Sequence, residues 1–238
     1  MPNNVLQAVI FDLDGVVADS HPIHEQAWKS LLVEQGLDPE TIDLGFLYAG
    51  HQRRAILRHY LGSLDETEVE ILGKRKDELY GQASESVTMK PGLFTVLEEL
   101  DAAGIPFALA TSAGKSRSIE TLQKFGIAHR FAVVVTGADV QAAKPHPEIF
   151  LTVAKKMGIR PRNALVIEDS VAGVKGAVAA GMTCIGYTTA NRVDELREAG
   201  AHDVVTEFPR AAAAYFHRLV QYGTRDAGMR PIDADPVL

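Results

Sequence analysis

A single cysteine, Cys184, stands in 238 residues. That excludes an internal disulfide and any zinc site built on paired cysteines. Cys184 lies in the apolar stretch 182–186, where a free thiol reads as a small buried hydrophobe. A basic excess is also lacking. The chain has 24 Lys and Arg against 31 Asp and Glu, for a net charge of −7. Such a chain has no electrostatic footprint for nucleic acid. No apolar run approaches the roughly 18 residues of a membrane span. Residues 1–7 have neither the basic start nor the apolar stretch of a secretory signal. These absences point to a cytoplasmic protein with neither nucleic acid nor membrane as partner. What is present is a core: 46% of residues are hydrophobic, enough for one large domain or two small ones.

Short apolar runs recur at 8–11, 107–110, 133–135, 164–167, 183–186 and 203–205. Most do not alternate, as expected of strands covered on both faces of a parallel sheet. Helical patterns lie between them. Residues 91–103 begin with Pro and stop at Gly104, 116–125 stop at Gly126, and 147–157 stop at Gly158. Residues 170–180 begin at an N-cap-type Ser and stop at Gly181. The fold class is therefore α/β, a doubly wound parallel sheet of Rossmann-like type. Residues 20–89 differ, reading as helices at 23–35, 53–61 and 66–85 with no buried strand. This predicts a core of 1–19 and 90–222, an inserted helical cap of 20–89, and a loosely held tail of 223–238, rich in Asp, Pro and Arg.

Each of four polar features follows one of these strands. Asp12 and Asp14 follow the first. Thr111 and Ser112 follow the second, Lys144 lies in the loop after the third, and Glu168 and Asp169 follow the fourth. Ligands of open parallel sheets bind outside the carboxyl ends of the strands, so all four converge on one edge. The chemistry they suit is phosphoryl transfer. A divalent cation, best Mg²⁺ for this oxygen-rich set, removes the repulsion between acids and phosphate. Lys144 adds a fixed positive charge and Thr111 a hydroxyl donor. Asp12 attacks phosphorus to form an aspartyl phosphate. Asp14 protonates the leaving oxygen and then activates the next nucleophile. A calcium loop starting at Asp12 fails, because Val16 and Ile23 stand where ligands are required. A phospho-accepting signalling domain uses a similar set, but it has no use for some 70 residues inserted over the acids.

The motifs together resemble those of the haloacid dehalogenase superfamily of phosphohydrolases: Asp12-Leu13-Asp14-Gly15, Thr111, Lys144 before Pro145, and Glu168-Asp169. The insertion resembles the small cap of the subgroup that includes β-phosphoglucomutase and many sugar-phosphate phosphatases. The resemblance implies Asp12 as nucleophile and Asp14 as acid and base. It implies Mg²⁺ held by Asp12, the Asp14 carbonyl and Asp169, with Glu168 helping directly or through water. In the cap it implies substrate contacts from His24, from Gly50 and Arg53, and from Lys76. Read without the resemblance, Lys74, Arg75 and Lys76 form a solvated helical face. After Thr111 the mutases carry a Ser-x-Asn-like stretch, where this chain has Ala113-Gly114-Lys115. Ser112 and Lys115 are the candidate phosphate contacts left there. The departure favours a phosphatase acting on a small phosphorylated metabolite, a sugar phosphate first of all, with a phosphosugar mutase as the alternative. The oligomeric state is left open.

Overall fold

Ala8–Phe11, four residues hidden from solvent, form the first strand, β1, at the centre of a six-stranded sheet. The computed structural model describes residues 5–38, 40–41, 43–48 and 53–222. After β1 come β2 (Ala18–Asp19) and four helices: α1 (His21–Glu34), α2 (Gly45–Tyr48), α3 (Arg53–Leu61) and α4 (Glu66–Ala83). Then follow β3 (Thr88–Met89), α5 (Leu93–Ala102), β4 (Phe107–Thr111), α6 (Lys115–Lys124), β5 (Val133–Thr136) and α7 (Glu148–Met157). The chain continues through β6 (Ala164–Glu168), α8 (Val171–Ala179), β7 (Thr183–Tyr187), α9 (Val193–Glu198), β8 (Asp203–Val205) and α10 (Ala212–Tyr222). Two compact units result: Asp19–Thr88, and the remainder on either side of it.

The larger unit carries the sheet, in the order β5-β4-β1-β6-β7-β8. Every neighbouring pair is parallel. From β1 the chain builds outward through β4 and β5, then returns to the other side of β1 for β6, β7 and β8. The order reverses between β1 and β6, and the loops leaving β1, β4 and β6 lie side by side at the carboxyl edge of the sheet. Period-two alternation sends side chains to opposite faces. Ile10, Ala108, Val135, Val166 and Cys184 pack with Phe150 and Val153 of α7 and Val174 and Ala177 of α8. On the strands, Phe11 and Phe107 meet each other and Phe131 edge-to-face.

Two strands run one residue further than their apolar pattern. Thr111 pairs with Thr136, and Glu168 with Gly186, as the last rungs of the ladder. Both side chains are about 1% exposed. Burial at a strand end is paid by the polar partners described below, so neither needs to leave the sheet. Helix α10 buries Phe216, Leu219 and Val220 on one face.

The smaller unit is all-helical among its described residues, apart from the strand residues at its ends. Trp28 and Leu31 of α1, Ile56 and Leu57 of α3 and Val69 of α4 form its core. Asp65 starts α4 with a capping box: its Oδ1 accepts from the Glu68 N–H at 2.8 Å, and Glu68 Oε2 accepts from the Asp65 N–H at 2.8 Å. The Arg75 guanidinium grips both carboxylate oxygens of Glu34 at 2.9 and 2.7 Å, tying α4 to α1. Among the described residues no helix is long and apolar enough to cross a membrane. The expected tail at 223–238 lies outside the described residues.

Candidate active site

The turn after β1 is tightly set. The N–H groups of Val17 and Ala18 both reach the Leu13 carbonyl, at 3.0 and 2.8 Å, and the Gly15 N–H reaches the Ala18 carbonyl at 2.8 Å. Gly15 takes φ +79° there, which a side chain would resist. This turn leaves Asp12 at the end of β1 and Asp14 at its shoulder. Asp12 is 7% exposed and its N–H is bonded to the Ile167 carbonyl of β6 at 3.0 Å.

Lys144 joins the two central strands. Its Nζ donates to Asp12 Oδ1 at 2.6 Å, to Glu168 Oε1 at 2.5 Å and to the Ala110 carbonyl at 3.1 Å. These three bonds use its three protons. Burial opposes its charge, but Asp12 and Glu168 outweigh that and hold the ammonium protonated. The other Glu168 oxygen accepts from the Ser170 N–H at 2.9 Å and the Ser170 hydroxyl at 3.0 Å. Both Glu168 oxygens are thus engaged, one by Lys144 and the other by Ser170. Ser170 also caps α8, accepting from the Gly173 N–H at 3.0 Å.

The balance of charge around Asp12 is uneven. Burial pushes its carboxyl up; Lys144 pulls it down, but Glu168, Asp169 and Asp14 push it up again. An oxygen-rich pocket with more acid than base suits a hard divalent cation. Among the described residues no three His, Cys, Asp or Glu side chains converge to hold a metal by themselves. The implied set needs only two side chains, Asp12 and Asp169, with the Asp14 carbonyl and waters, so these residues fit Mg²⁺.

Thr111, Ser112 and Lys115 lie between β4 and α6. Thr111 Oγ1 accepts from the Ala113 N–H at 3.0 Å, a bond that uses a lone pair and not the hydroxyl proton. Ser112 and Lys115 are exposed. Two residues escaped the sequence reading. Arg117 grips both oxygens of Asp14, Nη1 to Oδ1 at 2.8 Å and Nη2 to Oδ2 at 2.6 Å. Gly173 faces Glu168 so closely that a Cβ built there would lie 1.8 Å from the carboxyl carbon. A signal existed for each. Arg117 stands in the first turn of a helix, where the dipole disfavours a cation, and Gly173 weakens the first turn of a helix for no local reason.

The candidates of the smaller unit fall into separate groups. His24 and Lys76 come together, Nζ to Nδ1 at 2.6 Å. Lys76 is 4% exposed, its ammonium over the rings of Trp28 and Tyr80 at 5.7 and 5.1 Å, and His24 stacks on Tyr80. The solvated-face reading of Lys76 is therefore wrong: in α4 it points with Val69 and Tyr80 to the buried side, while Lys74 is exposed. Arg53 instead crosses over Gly73 and pairs with Asp77 at 2.7 Å on an exposed face. Gly50 lies outside the described residues.

Comparison with known proteins gives a consistent set of relatives. Over 189 residues the chain is 33% identical to hexitol phosphatase A of Escherichia coli, covering 79% of this chain and 86% of that protein. It is 33% identical over 201 residues to a phosphorylated carbohydrates phosphatase of Thermotoga maritima, covering 82% and 92%. The crystal structure of a β-phosphoglucomutase from Clostridium difficile superposes with a TM-score of 0.72 at 29% identity, over 85% of this chain and 91% of that one. The family model for haloacid dehalogenase-like hydrolases matches residues 9–187, from β1 to the end of β7, which spans the whole constellation around Asp12, and the chain belongs to that family.

Proposed function

We propose that the chain is a Mg²⁺-dependent phosphatase of a small phosphorylated carbohydrate, working through an aspartyl phosphate on Asp12. That it is a phosphoric monoester hydrolase follows from its family and from relatives named as phosphatases. The observation that carries the mechanism is Lys144, buried between Asp12 and Glu168 at 2.6 and 2.5 Å. A carboxylate held through Oδ1 by a buried ammonium at the end of a central strand is oriented, as a nucleophile requires.

In the first step a carboxylate oxygen of Asp12 bonds to phosphorus while the ester P–O bond breaks. Asp14 gives its proton to the departing sugar oxygen. In the second, water attacks the same phosphorus and yields its proton to Asp14. The acyl phosphate bond breaks, releasing inorganic phosphate and restoring Asp12. Lys144 holds Asp12 in place through both steps, and the Thr111 hydroxyl would donate to a phosphoryl oxygen. Mg²⁺ would be held by Asp12, the Asp14 carbonyl and Asp169, and when bound supplies the positive charge that lets a phosphate approach these acids. His24, Arg53, Lys76, Ser112 and Lys115 are proposed substrate contacts, and a cytoplasmic setting belongs to the same proposal.

A second reading, a phosphosugar mutase, draws on the part-buried His24–Lys76 pair, whose residue types and positions resemble those of the mutases. One assay separates the two. Purified protein with Mg²⁺ is given a panel of sugar and polyol phosphates, including sorbitol 6-phosphate and β-glucose 1-phosphate with a trace of glucose 1,6-bisphosphate. Free phosphate from one or a few esters, lost with a chelator and in Asp12→Asn, supports the phosphatase. Glucose 6-phosphate formed without free phosphate supports the mutase. Full turnover in Asp12→Asn overturns the covalent mechanism in either form.

A further inference from the structure

Arg117 reaches the shoulder of the site from the wrong end of a helix. It stands in the first turn of α6, where the aligned peptide dipoles already present positive charge and favour an acid. Lys115 adds a second cation to the same turn, and no acidic residue offsets them there. A guanidinium in that position needs an anion outside its own helix. It has one: both oxygens of Asp14, 103 residues away in sequence, at 2.8 and 2.6 Å. This is the two-pronged geometry in which a planar guanidinium fixes the plane of a carboxylate as well as its position.

The base of the arrangement is rigid on both sides. The Asp14 backbone is held by the turn from Leu13 to Ala18, so the freedom left to it is that of its side-chain torsions. The start of α6 is held by the Ser118 hydroxyl on the Gly114 carbonyl at 2.9 Å and by the Thr121 hydroxyl on the Arg117 carbonyl at 2.8 Å. The Arg117 and Asp14 side chains are 26% and 21% exposed, so the pair is part-buried and keeps contact with solvent. Its geometric effect is to remove the rotamer freedom of the carboxylate.

We propose that Arg117 is a positioning residue for Asp14. It fixes the plane from which Asp14 exchanges protons with the leaving group and with water. The proposal rests on the reading of Asp14 as acid and base. Arg117 itself need not touch the substrate; it acts through Asp14.

The test compares two esters that differ in their need for a proton. An alkoxide, as from sorbitol 6-phosphate, leaves poorly unless protonated, whereas p-nitrophenolate leaves without help. The comparison is made in kcat/KM, which reports the steps up to the release of the alcohol, before the shared hydrolysis of the phosphoenzyme. The alkyl ester is one the panel finds to be hydrolysed, with sorbitol 6-phosphate first. Arg117→Met is expected to lose about tenfold or more in kcat/KM on the alkyl ester and under about threefold on p-nitrophenyl phosphate. Asp14→Asn should show the same asymmetry, and the double variant should be no slower than Asp14→Asn alone. Arg117→Lys keeps the charge without the fork and should show the asymmetry too, which covers a failure of the Met variant to fold. Equal losses on both esters in the Arg117 variants, with Asp14→Asn still asymmetric, overturn the proposal and leave Arg117 a role in phosphate binding or folding. A faster Arg117 variant overturns it as well, since the pair would then restrain Asp14. Symmetric losses in Asp14→Asn itself would instead remove the acid–base reading on which the proposal stands.

Discussion

Replacing Gly173 with Ala inserts one methyl group where the structure leaves no room. A Cβ at that position lies 1.8 Å from both Cδ and Oε1 of Glu168 and 2.2 Å from Oε2. Carbon atoms in comfortable contact sit about 3.5 Å apart, so the carboxyl must retreat by the difference, roughly 1.7 Å. It cannot do so cheaply. Glu168 is 1% exposed and is held by Lys144 at 2.5 Å and by Ser170 at 2.9 and 3.0 Å. Nor can α8 easily slide away. Val174 and Ala177 are fully buried, and the Cβ position of Gly176, one turn along, is already 3.1 Å from the Phe150 ring. Retreat of the carboxyl lengthens the Lys144–Glu168 contact beyond ion-pair range and leaves two buried charges short of a partner. Breaking a buried pair costs about 3–5 kcal/mol. At about 2–4 °C per kcal/mol for a chain of this size, Tm should fall by roughly 6–20 °C.

The sign is what makes the experiment decisive. Ala is the better helix former, by about 1 kcal/mol over Gly in a helix interior, so without the clash the substitution would stabilise α8. Thermal melts of the wild type, Gly173→Ala, Glu168→Ala and the double variant settle the matter. The penalty of Gly173→Ala should largely vanish once the Glu168 carboxyl is gone. Phosphatase turnover should fall with the displaced pair, because Lys144 loses the anchor that sets it against Asp12. A Gly173→Ala protein with an unchanged or higher Tm and full turnover would refute the close approach and the role drawn from it.

Other consequences are simpler to read. Lys144→Met should lower kcat by about a hundredfold or more, the range for losing a well-placed donor, and Lys144→Arg should not restore it, since a planar fork cannot reproduce three divergent bonds; steady-state kinetics checks both. Ser170→Ala removes the cap of α8 and one of the bonds to Glu168, and should cost about 1–2 kcal/mol in chemical denaturation. His202 is held below its ordinary range by burial, and its Nδ1 accepts from the Cys184 N–H at 3.2 Å. The folded state thus prefers neutral histidine, so its contribution is complete above the unfolded value of about 6.5 and is lost as the pH falls below it. His202→Gln should lose less Tm than the wild type between pH 7.5 and pH 5; an identical loss would show that His202 is not a source of the acid sensitivity.

The sheet was legible because parallel strands covered on both faces are mostly apolar, and six largely apolar runs stand among helical patterns of which four end in glycine. Their ends were harder to read. Thr111 and Glu168 read as loop residues because a polar side chain usually marks a strand's exit. Here each is the last rung of its ladder, supported by bonds to Ala113 or to Lys144 and Ser170. The misreading of Lys76 has a similar origin. Three basic residues in a row look like a solvated face, but a helix turns by about 100° per residue, so the middle and flanking positions cannot share one environment. Lys76 falls on the side of Val69 and Tyr80, where His24 and two aromatic rings receive its charge.

The candidate acids and Lys144 could be picked out because each is a conspicuous polar residue beside an apolar strand. Their pairing could not, since Lys144 lies 132 residues from Asp12 and 24 from Glu168, and only the strand order makes them neighbours. Arg117 and Gly173 expose the deeper reason. A motif search asks which residue brings a useful group, and by that measure Lys115 looks as good as Arg117, while Gly173 brings nothing. The informative question is which residue is locally unfavourable where it stands. A cation at a helix start and a glycine in a helix each cost stability that their own segment does not return. Each cost is offset by something distant in sequence: for Arg117 the Asp14 carboxylate, for Gly173 the space taken by the Glu168 carboxyl. Local misfit does not single out a site by itself, since Lys115, Arg53 and Gly73 share it, but for Arg117 and Gly173 the compensating group lies at the same carboxyl end of the sheet.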